Sequence, residues 1–286
     1  MKARACLVAG PLSLDDLPEA PDTLGGSGFY AAAAAAPFAL SQLWARAGDL
    51  GPHLRRIISA RHIDQAGLSY EGPIRHWSPQ QGCQDPVLPD LQPVRSQDLA
   101  CVLLIDLPGK EMDRAVAALQ GMGESSYPLL IAPQLAHCQE DPDLLNRCCR
   151  SATLLCLDCD SAQALTGYDD PLSAALDLQQ RGAKSVALSA GSLGGLLCYQ
   201  QKRCTWPAYP LPLRDHRGVR AALWGSLCGA LAEAQSCDWR SLKRGLALSS
   251  GVASICGQGI GPKKLLSANR SDYQDRFTAL RRNSKF

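Results

Sequence analysis

The thirteen cysteines are the first residues in this chain whose chemistry could be put to use. Cys156 and Cys159 form an isolated C-x-x-C, a spacing that occurs in zinc sites and in redox pairs. A zinc site needs further ligands at suitable spacing, and His137 is the only histidine near this pair in the sequence. Many of the cysteines lie inside apolar runs of a long chain. We therefore expect buried free thiols, in the cytoplasm or another reducing compartment, rather than a metal centre or a disulfide framework.

Recognised catalytic motifs are missing from the sequence. It contains no P-loop, no G-x-S-x-G elbow and no H-E-x-x-H, and its five histidines make no sensible triad with a serine. Glycine and aspartate instead recur together in short stretches, where glycine lets the backbone approach a ligand and aspartate can bind a hydroxyl or take its proton. The four stretches are residues 8–15 (VAGPLSLD), 24–30 (LGGSGFY), 182–194 (GAKSVALSAGSLG) and 215–221 (DHRGVRA).

Taken in this order, the four stretches resemble the ribokinase family, the PfkB-type carbohydrate kinases, and the resemblance covers nearly the whole chain. It implies a binding site for the hydroxyls of a sugar or nucleoside, formed by Asp15, Gly25, Gly26 and Tyr30. It implies a second site, for nucleotide or phosphate, formed by Ser189, Gly191, Gly194, Gly218 and Arg220. ATP with Mg²⁺ is the cofactor that the resemblance implies. A structural alternative stays open for Asp15, in which its side chain only caps the turn after the first strand.

The last stretch departs from the family pattern where the chemistry would take place. In the family this segment reads D-T-x-G-A-G-D, and its final aspartate accepts the hydroxyl proton during phosphoryl transfer. Ala221 occupies that position here, and Gly218 is the only glycine of the turn that remains. Arg220 can bind a phosphate as a bidentate donor, but its side chain also obstructs the close backbone approach that glycine allows.

The family's magnesium motif is altered as well. The resemblance places the family's N-x-x-E at residues 158–161, where Asp158 replaces the asparagine and Ser161 replaces the glutamate. Asp158 or Asp160 is therefore the candidate metal ligand, acting through water. The alternative interpretation is a solvated carboxylate beside the end of a strand.

Three functional hypotheses follow. The first is a degenerate ribokinase-like protein that has lost phosphoryl transfer and serves as a ligand-binding, regulatory or scaffold pseudokinase. The second is an active ATP-dependent carbohydrate or nucleoside kinase with a displaced base, for which Asp215 is the only acid in the loop before Ala221. The third is another α/β protein whose likeness to the family is misleading, since a fold does not determine a function.

The elements that would position these residues are short apolar runs that alternate with helical stretches. This alternation predicts an α/β fold, ribokinase-like, with a mostly parallel central sheet flanked by helices. The pattern includes a buried strand over residues 100–106 and one alanine-rich helix over residues 28–47. Two segments break the alternation, at about residues 11–24 and 65–94, and we expect them to form a small β flap, or lid, within a single domain spanning 1–286.

Charge and hydropathy exclude several classes of partner. The chain has 29 Lys and Arg against 27 Asp and Glu, so its formal charge of +2 gives no electrostatic footprint for nucleic acid or an anionic membrane. No apolar run reaches the 18 or so residues that a membrane-spanning helix requires. We expect neither nucleic acid nor a membrane as partner. An exposed edge strand in the flap would favour a homodimer or another protein partner.

Overall fold

The computed structural model describes residues 5–17, 20–77, 88–90, 99–122 and 127–283. The strands within these ranges are β1 (Ala5–Ala9), β2 (Ser13–Leu17), β3 (Ala20–Gly25), β4 (Leu40–Arg46), β5 (Ile63–Asp64), β6 (Leu68–Ser69), β7 (His76–Trp77), β8 (Leu99–Ile105), β9 (Leu129–Ala132), β10 (Leu154–Asp158), β11 (Ser185–Ser189), β12 (Gly195–Tyr199) and β13 (Lys202–Trp206). The helices are α1 (Ser27–Ala35), α2 (Pro52–Ala60), α3 (Gly109–Gly121), α4 (Leu135–Glu140), α5 (Leu144–Ser151), α6 (Cys159–Thr166), α7 (Pro171–Gln180), α8 (Val219–Ala234), α9 (Trp239–Gly257), α10 (Lys263–Ser267) and α11 (Arg270–Asn283).

A sheet of ten strands forms the centre of the described part of the chain. Its order is β13-β12-β11-β10-β9-β8-β1-β4-β5, and β6 lies beside β4. Neighbouring strands are parallel except in the two pairings that join β11, β12 and β13. The predicted α/β fold with a mostly parallel sheet is therefore confirmed.

The central strands β1 and β8 are apolar along their whole length because both faces of the sheet are covered. Every residue of the two strands is buried. Cys6 and Val8 of β1 face a core that includes residues of α1, α8 and α9, whereas Leu7 and Ala9 face a second core that includes residues of α3, α5 and α7. Uninterrupted hydrophobic strands are expected in such a sheet, since successive side chains point to opposite faces.

The predicted helix over residues 28–47 is wrong in its second half. Helix α1 ends at Ala35, and the chain then turns and returns as β4, which pairs in parallel with β1. Pro37 lies in the turn, where its missing N–H and its ring prevent the helix from continuing. In β4, the neighbouring residues Leu43 and Trp44 are buried on opposite faces of the sheet. Such a run of apolar residues cannot be distinguished from a buried helix by its periodicity.

A separate sheet of three strands, which we call the small sheet, has the order β3-β2-β7. Strands β2 and β3 are antiparallel, while β2 and β7 are parallel, with Asp15 beside Trp77. These strands lie in the two segments predicted to form a flap. Positions 18–19, 78–87 and 91–94 of those segments fall outside the described residues, and the division into one domain with a lid stays a prediction.

Three further features of the described residues concern the membrane, the thiols and metal ions. No helix within the described ranges is both long and apolar enough to cross a membrane. The twelve cysteines in these ranges are free thiols, and nine of them are buried. The same ranges contain no cluster of three or more His, Cys, Asp or Glu side chains that could hold a metal ion.

Candidate functional site

A cavity of about 560 Å³ opens where several strands of the central sheet end. Pro11 follows β1, Asp106 follows β8 and Gln134 follows β9, and all three residues line it. The small sheet and the beginning of α8 complete the wall. Ligands of open α/β sheets bind in crevices outside the carboxyl ends of the strands, so this cavity is the candidate site.

Asp15 enters the cavity from β2 and is 5% exposed. Its carboxylate accepts a hydrogen bond of 2.9 Å from the Ser13 hydroxyl. Burial raises the pKa of Asp15, while Ser13 and the nearby Arg217 act in the opposite direction. The position depends on Gly25 in β3, because a Cβ there would lie 2.0 Å from Asp15 Oδ1. The Asp and the first Gly of the sequence prediction are thus brought together in the small sheet.

The beginning of α1 places two hydroxyls in the cavity wall. Ser27 and Tyr30 both line the cavity, and neither buried hydroxyl oxygen has a hydrogen-bond partner among the described residues. Burial raises the pKa of Tyr30 well above its ordinary value, so the phenol stays protonated and can donate. The Tyr30 ring packs against Gly218, where φ is +71° and a Cβ would meet Tyr30 Cδ1 at 2.1 Å. Unpaired buried hydroxyls are costly, and a bound ligand with its own hydroxyls would satisfy them.

The beginning of α8 brings Ala221 to the cavity, at the position the resemblance assigns to the catalytic base. Ala221 is buried, and its methyl group can neither accept nor donate a proton. Arg220 beside it makes an ion pair with Asp106 and donates a hydrogen bond of 3.4 Å to the Pro133 carbonyl. Asp106 is the main reason that the pKa of Arg220 is raised. The guanidinium predicted to bind phosphate is therefore already neutralised within the protein.

Asp215, the predicted substitute base, is held beside the cavity rather than within its lining. Its carboxylate accepts hydrogen bonds from the Arg217 backbone N–H at 3.0 Å, from Arg217 Nε at 2.9 Å and from the Gly261 backbone N–H at 2.9 Å. Burial alone would raise the pKa of Asp215, but these hydrogen bonds outweigh it and hold the pKa below its ordinary value. Its neighbours His216 and Arg217 line the cavity instead.

The remaining predicted nucleotide and metal residues lie at the ends of β10 and β11 and do not line this cavity, although the charge of Asp158 contributes to raising the pKa of Arg220. Asp158 caps α6, and its two oxygens accept from the Ser161 backbone N–H at 2.8 Å and the Ser161 hydroxyl at 2.9 Å. Asp158 pairs in register with Ser189. Gly191 and Gly194 have positive φ, and a Cβ at Gly194 would lie 1.9 Å from a backbone oxygen of β13. The tight connection between β11 and β12 is therefore enough to explain these glycines.

Sequence reasoning missed part of the wall. Asp106 could have been noticed as an acidic residue directly after a buried strand, but its partner lies 114 positions away. Helix α4 was not predicted, and it contributes His137 and Glu140 to the cavity. His137 is 7% exposed, and its Nδ1 has no hydrogen-bond partner in the described part of the chain, with Glu140 Oε2 at 3.7 Å. A six-residue helix with one turn of polar side chains gives little periodic signal.

Comparison with known proteins identifies the fold. The sequence matches no family model and no curated protein. Among solved structures, aminoimidazole riboside kinase from Salmonella enterica superposes with a TM-score of 0.76 at 17% identity, covering 96% of this chain and 99% of that one. A fructokinase double mutant from Vibrio cholerae gives a TM-score of 0.75 at 15% identity, covering 97% and 100%. Arabidopsis thaliana ribokinase gives 0.72 at 17% identity, covering 97% and 99%. The resemblance drawn from the four stretches is confirmed as a likeness of fold: this chain has the fold of the ribokinase-like carbohydrate kinases.

Proposed function

We propose that the protein binds a sugar or nucleoside in the cavity beside Asp15 and has lost phosphoryl transfer, so that it acts as a ligand-binding, regulatory or scaffold pseudokinase. The observation that carries the proposal is Ala221 at the beginning of α8, in the cavity and without a titratable group. A general base typically contributes roughly 10²–10⁴-fold to a rate. Its replacement by a methyl group removes that contribution while leaving the cavity itself intact.

The binding half of the proposal rests on the unsatisfied polar groups. Ser27 and Tyr30 present hydroxyls, and Asp15 presents a carboxylate oxygen, to a cavity large enough for a small polyol. The solved structures with this fold are described with aminoimidazole riboside, fructose or ribose bound. A polyhydroxylated ligand would supply the hydrogen bonds that the Ser27 and Tyr30 hydroxyls lack and would donate further bonds to the Asp15 carboxylate.

The proposed loss of phosphoryl transfer rests on the carboxylates near the beginning of α8. Asp106 is committed to Arg220, and Asp215 is committed to Arg217 and Gly261. Each of these acids would have to give up its partner before it could accept a proton from a ligand. The geometry therefore favours the loss of transfer over the alternative of an active kinase with Asp215 as displaced base.

The implied cofactors form a separate part of the proposal. Both oxygens of Asp158 accept hydrogen bonds that cap α6, so a Mg²⁺ ion held there through water would compete with this cap. The ribokinase of Arabidopsis thaliana was solved with ATP, and the Salmonella enzyme with an ATP analog. For this chain we retain nucleotide binding at Ser189, Gly191, Gly194 and Gly218 as a proposal to be tested separately from transfer.

The decisive experiment measures ADP formation from MgATP with pooled sugars and nucleosides. Wild type is compared with Ala221→Asp, which restores a base. It is also compared with Ala221→Asn, whose side chain matches aspartate in size but cannot act as a base. We expect no turnover by wild type or by Ala221→Asn. Activity confined to Ala221→Asp would mean that the site is intact and lacks only its general base.

Two outcomes contradict parts of the proposal. Turnover by wild type at enzyme-like rates would refute the loss of transfer, and Asp215→Asn would then test the displaced base. Failure of every sugar and nucleoside to raise the melting temperature of wild type would refute the ligand-binding role, and protein partners would become the remaining explanation.

Partners and location complete the proposal. Strand β3 is an edge of the small sheet, and we propose that the protein forms a homodimer or binds another protein through this sheet. A monodisperse monomer by light scattering would exclude the homodimer. The free thiols support a cytoplasmic or other reducing location, which alkylation of thiols before cell lysis would test.

A further inference from the structure

The cavity has a second end that hydroxyl binding at Asp15 does not use. This end is formed by Gln134, which precedes α4, and by His137 within α4. Helix α4 follows β9, which lies two strands from β1 in the sheet. Strands are about 4.8 Å apart, so α4 begins about 10 Å across the sheet from the end of β1, where the chain leaves toward Asp15. A ligand that reaches both ends must be longer than one sugar ring.

The volume of the cavity agrees with a longer ligand. At about 30 Å³ for each water molecule, 560 Å³ corresponds to roughly nineteen water-sized volumes. A pentose has ten non-hydrogen atoms and would leave more than half of this space to water. A pentose joined to a planar heterocycle has about twice as many atoms and would occupy correspondingly more of it.

The second end is equipped to bind such a heterocycle. His137 is buried, and its Nδ1 lacks a hydrogen-bond partner anywhere in the described ranges, although the exposed Glu140 carboxylate lies 3.7 Å away. Gln134 is exposed at the cavity and offers an amide donor and an acceptor together. An amide side chain can bind the edge of a base through its donor and acceptor together, and an imidazole nitrogen can donate to or accept from a ring nitrogen or oxygen.

The charge of the cavity distinguishes a nucleoside from a nucleotide. Arg220 and Asp106 lie between the two ends and neutralise each other. The guanidinium of Arg217 is paired with Asp215, and the nearby Asp15 and Glu140 are acidic. An added phosphate would therefore meet no unpaired guanidinium among the described residues of the wall.

We propose that the ligand is an uncharged nucleoside and that His137 and Gln134 bind its heterocycle while Asp15 binds its sugar hydroxyls. This inference rests on the proposed function, because it names the ligand class of that same cavity. It assigns α4 the role of a specificity element that separates a nucleoside from the free sugar.

Calorimetric titration of the purified protein tests the assignment, with ribose, adenosine, inosine, uridine and the corresponding monophosphates as probes. We expect at least one nucleoside to bind roughly ten-fold or more tightly than ribose and than its own monophosphate. His137→Leu should weaken nucleoside binding about ten-fold and leave ribose binding unchanged, as expected for the loss of one or two hydrogen bonds. Asp15→Asn should weaken both.

Controls keep the outcomes distinguishable. Glu140→Gln alters the exposed rim and should change nucleoside affinity less than His137→Leu does. Gln134 is exposed, so Gln134→Ala tests the contact with the heterocycle if the His137→Leu variant does not fold. Equal binding of ribose and nucleosides, or a nucleoside affinity unchanged in both His137→Leu and Gln134→Ala, would overturn the inference and leave the proposed function standing. Binding of none of the probes would overturn the inference, and the melting-temperature assay with all sugars and nucleosides would then decide the proposed function separately.

Discussion

The ion pair between Asp106 and Arg220 gives the sharpest prediction about stability. Removing one member of a fully buried pair costs about 3–5 kcal/mol, whereas exposed pairs contribute about 0–1 kcal/mol. The side chains here are 14% and 29% exposed, so the pair lies between these limits. We expect Asp106→Asn to lower the free energy of unfolding by about 2 kcal/mol, which corresponds to roughly 4 °C in melting temperature for a chain of this size.

The backbone at Asp106 refines the prediction. Its φ is +52°, in the left-handed region, which asparagine and aspartate tolerate better than other residues with a Cβ. Asp106→Ala should therefore cost about 1 kcal/mol more than Asp106→Asn, since it adds backbone strain to the loss of charge.

A double-mutant cycle in urea separates these contributions. The cycle combines Asp106→Asn with Arg220→Met, and we expect a coupling of about 1–2 kcal/mol, because the second substitution removes the charge that the first leaves unpaired. Glu233→Gln breaks the exposed pair with Arg270 and is the control, with an expected loss below about 1 kcal/mol. Additive effects, or a change below about 0.5 kcal/mol for Asp106→Asn, would refute the view that Arg220 is neutralised within the protein.

Two further predictions concern the small sheet. Gly25→Ala should abolish ligand binding, because its Cβ would lie 2.0 Å from Asp15 Oδ1, while Gly121→Ala, with open space around its Cβ, should leave binding in a titration unchanged. Asp15→Asn should raise the melting temperature at pH 7 while weakening ligand binding, since burial raises the pKa of Asp15 and disfavours its charged form in the folded state. The sign follows from linkage: the folded protein binds this proton more tightly, so wild-type stability from this group falls as pH rises from about 3.8 through the raised pKa, and the advantage of Asn should vanish below that window. Equal melting temperatures for wild type and Asp15→Asn across pH 3–7 would contradict this reasoning.

The parts of the fold that the sequence predicted are those governed by local pattern. The uninterrupted apolar runs of β1 and β8 specify strands covered on both faces, and Gly26 before α1 lines the candidate cavity. The helix predicted over residues 28–47 failed because β4 carries consecutive apolar residues, and only its pairing with β1 decides its conformation. Pro37 was the local signal for that boundary.

The candidate site likewise combines residues that the sequence predicted with contacts that only the fold brings together. Asp15, Gly26 and Tyr30 all line the cavity, and their role in binding stays a prediction. The sequence left two uses open for Arg220, and its contact with Asp106 shows that the guanidinium has an internal partner. Such a contact depends on the arrangement of β8 beside α8, and no pattern in the sequence encodes it. His137 was missed for the same reason, because its importance comes from the cavity it faces.

The close contact between α1 and α8 has a consequence for motion. A Cβ at Gly225 would lie 2.2 Å from the Ala31 carbonyl oxygen, and one at Gly229 would lie 2.7 Å from that of Ala35. The two helices therefore touch backbone to backbone, with no flexible side chains between them to absorb a displacement. Tyr30 and Ala221 lie near the beginnings of these helices, at the same end of the contact, and are therefore expected to move as one rigid body. Any closure of the small sheet around a ligand is therefore expected to carry Asp15 toward a fixed α1–α8 platform.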